Sequence, residues 1–170
     1  MAGDKYLKIA SGVIGEQAAV QSSAGAGSAG KIVALDAGGK LDNTMLPAGV
    51  GAETKELEAS EALSAGNWVN VWNDSGTAKV RKADATAAGK EANGFVLAAF
   101  DSAATATVYV AGINNQLSAL TPGAVYFLDT TAGSQNATAP SGSGNIVQKV
   151  WRSLSATEIA FEPSDPVTLA

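Results

Sequence analysis

Cysteine and histidine are both missing from this 170-residue chain. Their absence excludes disulfides, thiolate and imidazole metal sites, haem held by either residue, and nucleophiles activated in the Ser-His or Cys-His manner. Charge is sparse too: 16% of residues are charged, against a usual ~25%, and Ala, Gly, Ser and Thr take up the difference. The 16 acids outnumber the 11 bases, for a net charge of −5. That balance argues against a nucleic-acid partner, because phosphate binding needs clustered Lys and Arg. No apolar run approaches the ~18 residues of a membrane span. The opening Met1–Gly15 carries an acid and lacks the sustained apolar segment of a secretory signal, so synthesis in a cytoplasm is expected.

What is present divides near residue 53. In residues 1–53, Tyr6-Leu7-Lys8-Ile9 and Gly12-Val13-Ile14 are short apolar patches without a strand or helix period long enough to bury a face. Ser22–Gly30 is a small-residue run of linker composition. Lys31–Leu35 is a short strand candidate leading into the Asp36–Leu41 turn. Asp42–Pro47 has the residues to cap a helical turn that Pro47 ends, and Ala48–Gly51 is a second flexible joint. The expectation is an extended N-terminal arm, ordered mainly against other protein; the alternative is a disordered tail.

From Thr54 to Ala170 the punctuation becomes regular. Lys55–Ala59 alternates polar and apolar residues. Trp68-Val69-Asn70-Val71-Trp72 reads as a strand with both tryptophans on one face. Asn73–Gly76 is a hairpin turn before the return strand Ala78–Lys82. Asp84–Ala92 is an Ala-rich connection with room for a helical turn. Phe95–Ala99 is continuously apolar, as in a strand buried on both faces, and Ala104–Ala111 alternates. Ile113–Leu120 and Thr131–Gly144 read as loops. Between them, Thr121-Pro122-Gly123 predicts a type II turn and Ala124–Leu128 a strand. Ile146–Trp151 and Glu158–Glu162 are further strands, and Val167–Leu169 a last edge. Seven or eight short strands at this spacing predict a mainly β fold, a compact antiparallel barrel or sandwich, over residues 54–170.

Few constellations carry chemistry. Glu56, Glu58 and Glu61 cluster, and Asp165 follows Glu162; such carboxylates serve glycoside hydrolysis when two of them line a cleft, and otherwise make a solvated acidic face. They lack the alternating loop of a calcium site. Trp68, Trp72 and Trp151 could form a platform for sugar, or anchor a core or an interface. The glycine runs at 25–30 and 49–51 lack the strand, helix and basic residue of a phosphate loop. No catalytic, cofactor or metal role is assigned to any residue.

Four segments resemble a module of the head-decoration (cement) proteins and head fibres of tailed bacteriophages: Ala62–Val71, Gly94–Leu97, Leu120–Leu128 and Val147–Leu169. Its most specific piece is Leu120-Thr121-Pro122-Gly123 followed by Tyr126 and Leu128. Gly30–Pro47 resembles a segment that recurs ahead of the globular parts of trimeric phage fibre and decoration proteins. The resemblance implies a β-tulip-like domain on the outer capsid surface of a virion. It also implies the major capsid protein as partner and self-association, as trimers in most cases and dimers in some. On that reading the arm bridges capsomers by strand addition and apolar burial, and its contact residues are Tyr6, Leu7, Ile9, Val13, Ile14, Ile32, Val33, Leu35 and Leu41. The alternative is a tail-fibre or receptor-binding module whose loops, Asn114–Gln116 or Thr131–Asn136, touch host glycans.

Overall fold

A computed structural model describes residues 5–46 and 52–170. Strand accounts for 39% of the described residues and helix for 4%, so the fold is mainly β. The chain divides into two units, Met1–Gly51 and Ala52–Ala170.

The first unit begins with a hairpin of β1 (Lys5–Ala10) and β2 (Val13–Ala18). Short 3-10 helices follow at Gly25–Ser28 and Asn43–Met45. The unit is therefore not one extended run: the patches expected to have no strand period pair with each other. The Lys31–Leu35 strand does not form either; a single parallel bridge joins Val33 to Val20. Asp42 does cap the second 3-10 helix, accepting the Thr44 N–H at 2.9 Å. Pro47 and the Ala48–Gly51 joint lie outside the described residues.

The second unit is built on a closed five-stranded barrel, in the order β3 (Thr54–Ala59), β5 (Thr77–Lys82), β4 (Trp68–Asp74), β6 (Gly94–Phe95), β7 (Thr105–Tyr109). The expected all-antiparallel barrel is corrected at one seam, where β3 and β5 run parallel. β4 and β5 already form a hairpin, so β3 can reach only the free edge of β5, and it arrives there in the same direction. Five strands enclose a narrow space, and small side chains fill it: Ala59, Leu63, Val69, Val80, Val96, Ala106 and Val108.

Outside the barrel wall lies a larger core. It is covered by β8 (Gly112–Asn114), β9 (Val125–Leu128), β10 (Gln135–Asn136), β11 (Ile146–Val147), β12 (Lys149–Arg152), β13 (Ile159–Phe161) and β14 (Val167–Thr168). These pair as β10-β9-β12, β8-β13 and β11-β14. Strand alternation splits β4 between the two cores: Val69 enters the barrel and Trp68 the outer core. Phe95 and Val96 divide in the same way, so this stretch is buried on both sides although only Gly94–Phe95 pairs as strand. Trp68 stacks on Phe161 at 5.3 Å and meets Phe95 edge-on at 5.8 Å. Gly94 is required here, since a Cβ would lie 2.5 Å from the Tyr109 carbonyl oxygen.

Three loop expectations change. Asp84–Ala92 forms turns without a helix. The Ile113–Leu120 loop begins inside β8, and the Thr131–Gly144 loop contains β10. The Thr121–Ala124 turn forms as its residues require: Ala124 N–H donates to Thr121 O at 3.1 Å, and Gly123 takes φ +81°. The Tyr126 hydroxyl accepts the Thr121 N–H at 2.9 Å and so clamps the turn to its own strand, while Leu120, Tyr126 and Leu128 are buried in the outer core. That explains physically why these residue types stand at this spacing.

Candidate functional site

The first unit is made by turns and main-chain hydrogen bonds. Ser11 (φ +50°) and Gly12 (φ +80°) form the two-residue loop of the β1–β2 hairpin; positive φ at both positions matches the right-handed twist of the flanking strands. The register pairs Ile9 with Ile14 and Leu7 with Glu16. Leu7, Ile9 and Ile14 therefore share one face with the Lys5–Glu16 ion pair, whose atoms are 2.6 Å apart. Tyr6 and Val13 occupy the opposite face, and the Tyr6 hydroxyl donates to Gly30 O at 3.4 Å. Val20 N–H donates to Ile32 O at 3.0 Å and Ala34 N–H to Val20 O at 2.8 Å. The Gln21 amide donates to Leu35 O at 2.9 Å. The Asp36 carboxylate accepts the N–H groups of Gly38 and Lys40, both at 2.8 Å, and closes the loop ahead of Leu41.

Among its described residues, this unit has no interior. No described residue from 5 to 46 is buried. Leu7 is 72% exposed, Ile9 70%, Val13 69% and Ile14 66%. Ile32, Val33, Leu35 and Leu41 are exposed too, and Tyr6 is half-buried. The sequence-predicted contact residues thus fall into three places: a trio on one hairpin face, Tyr6 and Val13 on the other, and Ile32, Val33, Leu35 and Leu41 along the following segment. Each exposed aliphatic forgoes roughly 1.5–3 kcal/mol that full burial would supply. Main-chain hydrogen bonds contribute only about 0.5–1.5 kcal/mol net apiece, so the surface is suited to being covered by protein.

Of the acidic candidates, Glu56, Glu58 and Glu61 are engaged at the surface of the second unit, while Glu162 and Asp165 are exposed. Glu56 accepts from the Thr107 hydroxyl at 2.7 Å, and Glu61 from Lys82 N–H at 3.0 Å. Lys79 lies 2.9 Å from Asp74 and 3.1 Å from Glu58, and those partners, Asp74 first, raise its pKa above the ordinary lysine range. Among the described residues no three carboxylates converge as metal ligands would.

The three tryptophans do not form a platform. Trp68 is buried, and Trp72, expected beside it, stays half-buried under the Arg81 guanidinium, 4.9 Å from its ring. Trp151 is 40% exposed at a bulge in β12. Its φ of +122° is strained for a bulky side chain, and with Val125, Lys149 and Arg152 it lines a depression of about 110 Å³. A second depression joins the two loops offered as glycan contacts, which lie side by side. Sequence gave no sign of that pairing, because the contributing turns are far apart along the chain. No family model, curated protein or solved structure matches the chain.

Proposed function

We propose that this protein is a structural virion component that coats the outer surface of a phage capsid and joins neighbouring capsomers through its N-terminal unit. One observation carries the reading: of the nine large aliphatic side chains described in residues 5–41, eight are solvent-exposed and the ninth, Val20, is only half-buried, on a unit none of whose described residues is buried. The resemblance of Gly94–Leu97, Leu120–Leu128 and the closing strands to decoration proteins supplies the identity of the partner, the major capsid protein.

The mechanism is interface area without covalent chemistry. Three or four aliphatics buried per chain contribute on the order of 5–12 kcal/mol gross. Ordering the segment against its partner returns about 2–5 kcal/mol of that. The open edges of β1 and β2 add main-chain hydrogen bonds to a neighbouring strand. Repetition around a symmetric oligomer raises the apparent affinity further, because the second and third attachments become intramolecular.

The test is co-sedimentation with assembled shells. Substituting Leu7→Asp, Ile9→Asp and Ile14→Asp together should abolish binding while the melting of the second unit is unchanged, and deleting residues 1–35 should do the same. If either variant still saturates shells, the reading fails. Copy number separates it from the tail-fibre alternative: hundreds per particle for a coat protein, few for a fibre.

A further inference from the structure

We infer that the cleft between the turns Ala65–Asn67, Gln116–Ser118 and Gly133–Gln135 binds a neutral saccharide. This site lies wholly in the second unit and is independent of shell attachment. The cleft has a volume of about 260 Å³, room for a pyranose ring. Its walls are amides, hydroxyls and main chain, with Ala65 and Leu117 as the apolar exceptions, and none of its lining residues is ionisable.

The cleft is preformed. Gly66, at φ +86°, packs so closely on the second turn that a Cβ would lie 2.5 Å from Gln116 O. Gly133, at φ +78°, abuts the first turn, where a Cβ would lie 2.6 Å from Asn67 Nδ2. Buried Asn114 ties two turns together, donating to Gly66 O at 3.0 Å and accepting from Gln116 N–H at 3.2 Å. Trp68 Nε1 donates to Gln135 Oε1 at 2.8 Å from the core beneath. Core packing thus holds the cleft before any ligand arrives, which lowers the ordering cost of binding.

These internal bonds also fix what remains for a ligand. Gln135 has its oxygen occupied and both amide hydrogens left to donate. Gln116 donates to Asn115 Oδ1 at 3.0 Å and keeps its own oxygen as an acceptor. Among the described residues the Ser118 and Ser134 hydroxyls have no partner, and each can donate or accept. A neutral set of alternating donors and acceptors offers nothing to balance a phosphate or carboxylate, and too little apolar wall for a lipid. It is matched by a ligand that is uncharged and carries adjacent hydroxyls, each a donor and an acceptor. A few neutral hydrogen bonds in an open cleft give weak binding, on the order of 1 mM per site, which many copies on one particle would strengthen.

The experiment uses the full isotope-labelled chain titrated with neutral hexasaccharides of glucose, mannose, galactose and N-acetylglucosamine, with a sulfated oligosaccharide as the charged control. The expected result is saturable shifts in the amide resonances of Gly66, Asn67, Gln116–Ser118 and Gly133–Gln135 with at least one neutral chain and none with the sulfated one. The double variant Gln116→Ala, Ser134→Ala alters exposed or half-exposed side chains, so it should fold and bind at least tenfold more weakly. Its shell binding should be unchanged, which separates this site from the attachment surface. Silence at these resonances with every neutral chain, shifts that map elsewhere, or equal affinity of the double variant would each overturn the assignment.

Discussion

The chain contains two hairpins of the same design and opposite fate. β1–β2 and β4–β5 each pair six residues with six across a two-residue loop. The loop is Ser11-Gly12 in one and Ser75-Gly76 in the other, with positive φ at all four positions. In the second hairpin Trp68 and Val69 are fully buried, one on each side of the sheet; in the first, Leu7 and Ile9 are about 70% exposed. Turn chemistry and strand pairing are therefore common to both, and what separates them is enclosure. A two-stranded ribbon alone is marginal in water, and only one of these ribbons carries its own cover.

The sharpest way to break this contrast is to separate the units. Residues 52–170 should melt cooperatively alone, whereas a peptide of residues 1–51 should show no cooperative transition by circular dichroism. A sigmoidal melt of the peptide would end the contrast. Next in size are paired truncations followed by urea unfolding. Phe95→Ala should cost about 3–5 kcal/mol, and Ile9→Ala in the free chain should stay within about 0.5 kcal/mol. The glycines give a third pair. Gly94→Ala drives a methyl against Tyr109 O and Val108 Cγ1 and should cost about 1–3 kcal/mol. Gly15→Ala, in β2 with open space around it, should be neutral or slightly stabilising.

The smallest effect concerns two matching Asp-x-Thr turns. Asp84 and Asp42 each accept the N–H and hydroxyl of the threonine two residues on. Burial pushes the Asp84 carboxyl up, but the Thr86 bonds and the Lys90 ammonium at 3.0 Å outweigh it and hold the carboxyl below its ordinary value. Asp42 is lowered by the Thr44 hydroxyl and then the Thr44 N–H. A depressed folded-state pKa means that the unfolded chain takes up the proton first. The stabilisation is thus complete above about pH 4 and is lost as pH falls through the lowered value. Asp84→Asn should lower stability at neutral pH and flatten the acid limb of a stability–pH profile. Asp42→Asn should leave that profile almost unaltered.

Sequence alone placed the Trp68–Lys82 hairpin, because its strands are β-branched and aromatic and its turn carries Ser-Gly. It also placed the Thr121-Pro122-Gly123 turn, whose φ requirements leave few other residue choices. It missed the first hairpin because Tyr6-Leu7-Lys8-Ile9 does not alternate, even though the same Ser-Gly turn stands behind it. The parallel β3–β5 seam was invisible, since Lys55–Ala59 carries no mark of strand direction. The nine residues proposed as contacts could be listed from the sequence, but the placing of five of them on two hairpin faces depends on register. Two of the loops that line the proposed cleft, Asn114–Gln116 and Thr131–Asn136, stood out in the sequence as glycan-contact candidates, but their meeting could not be read: Gly66, Gln116 and Gly133 come together only in the folded unit.

The seam between β3 and β5 has a consequence for the growing chain. Thr54 pairs with Tyr109 on the adjoining strand β7, which closes the barrel, and Glu58 pairs with Lys79 on β5. The first barrel strand to leave a ribosome therefore has to wait for its far partner through some 55 further residues, about 3–11 s at ~5–20 residues per second. The β4–β5 ribbon completes in that interval and presents the edge on which the earlier strand later docks, so order of emergence and order of assembly run in opposite directions.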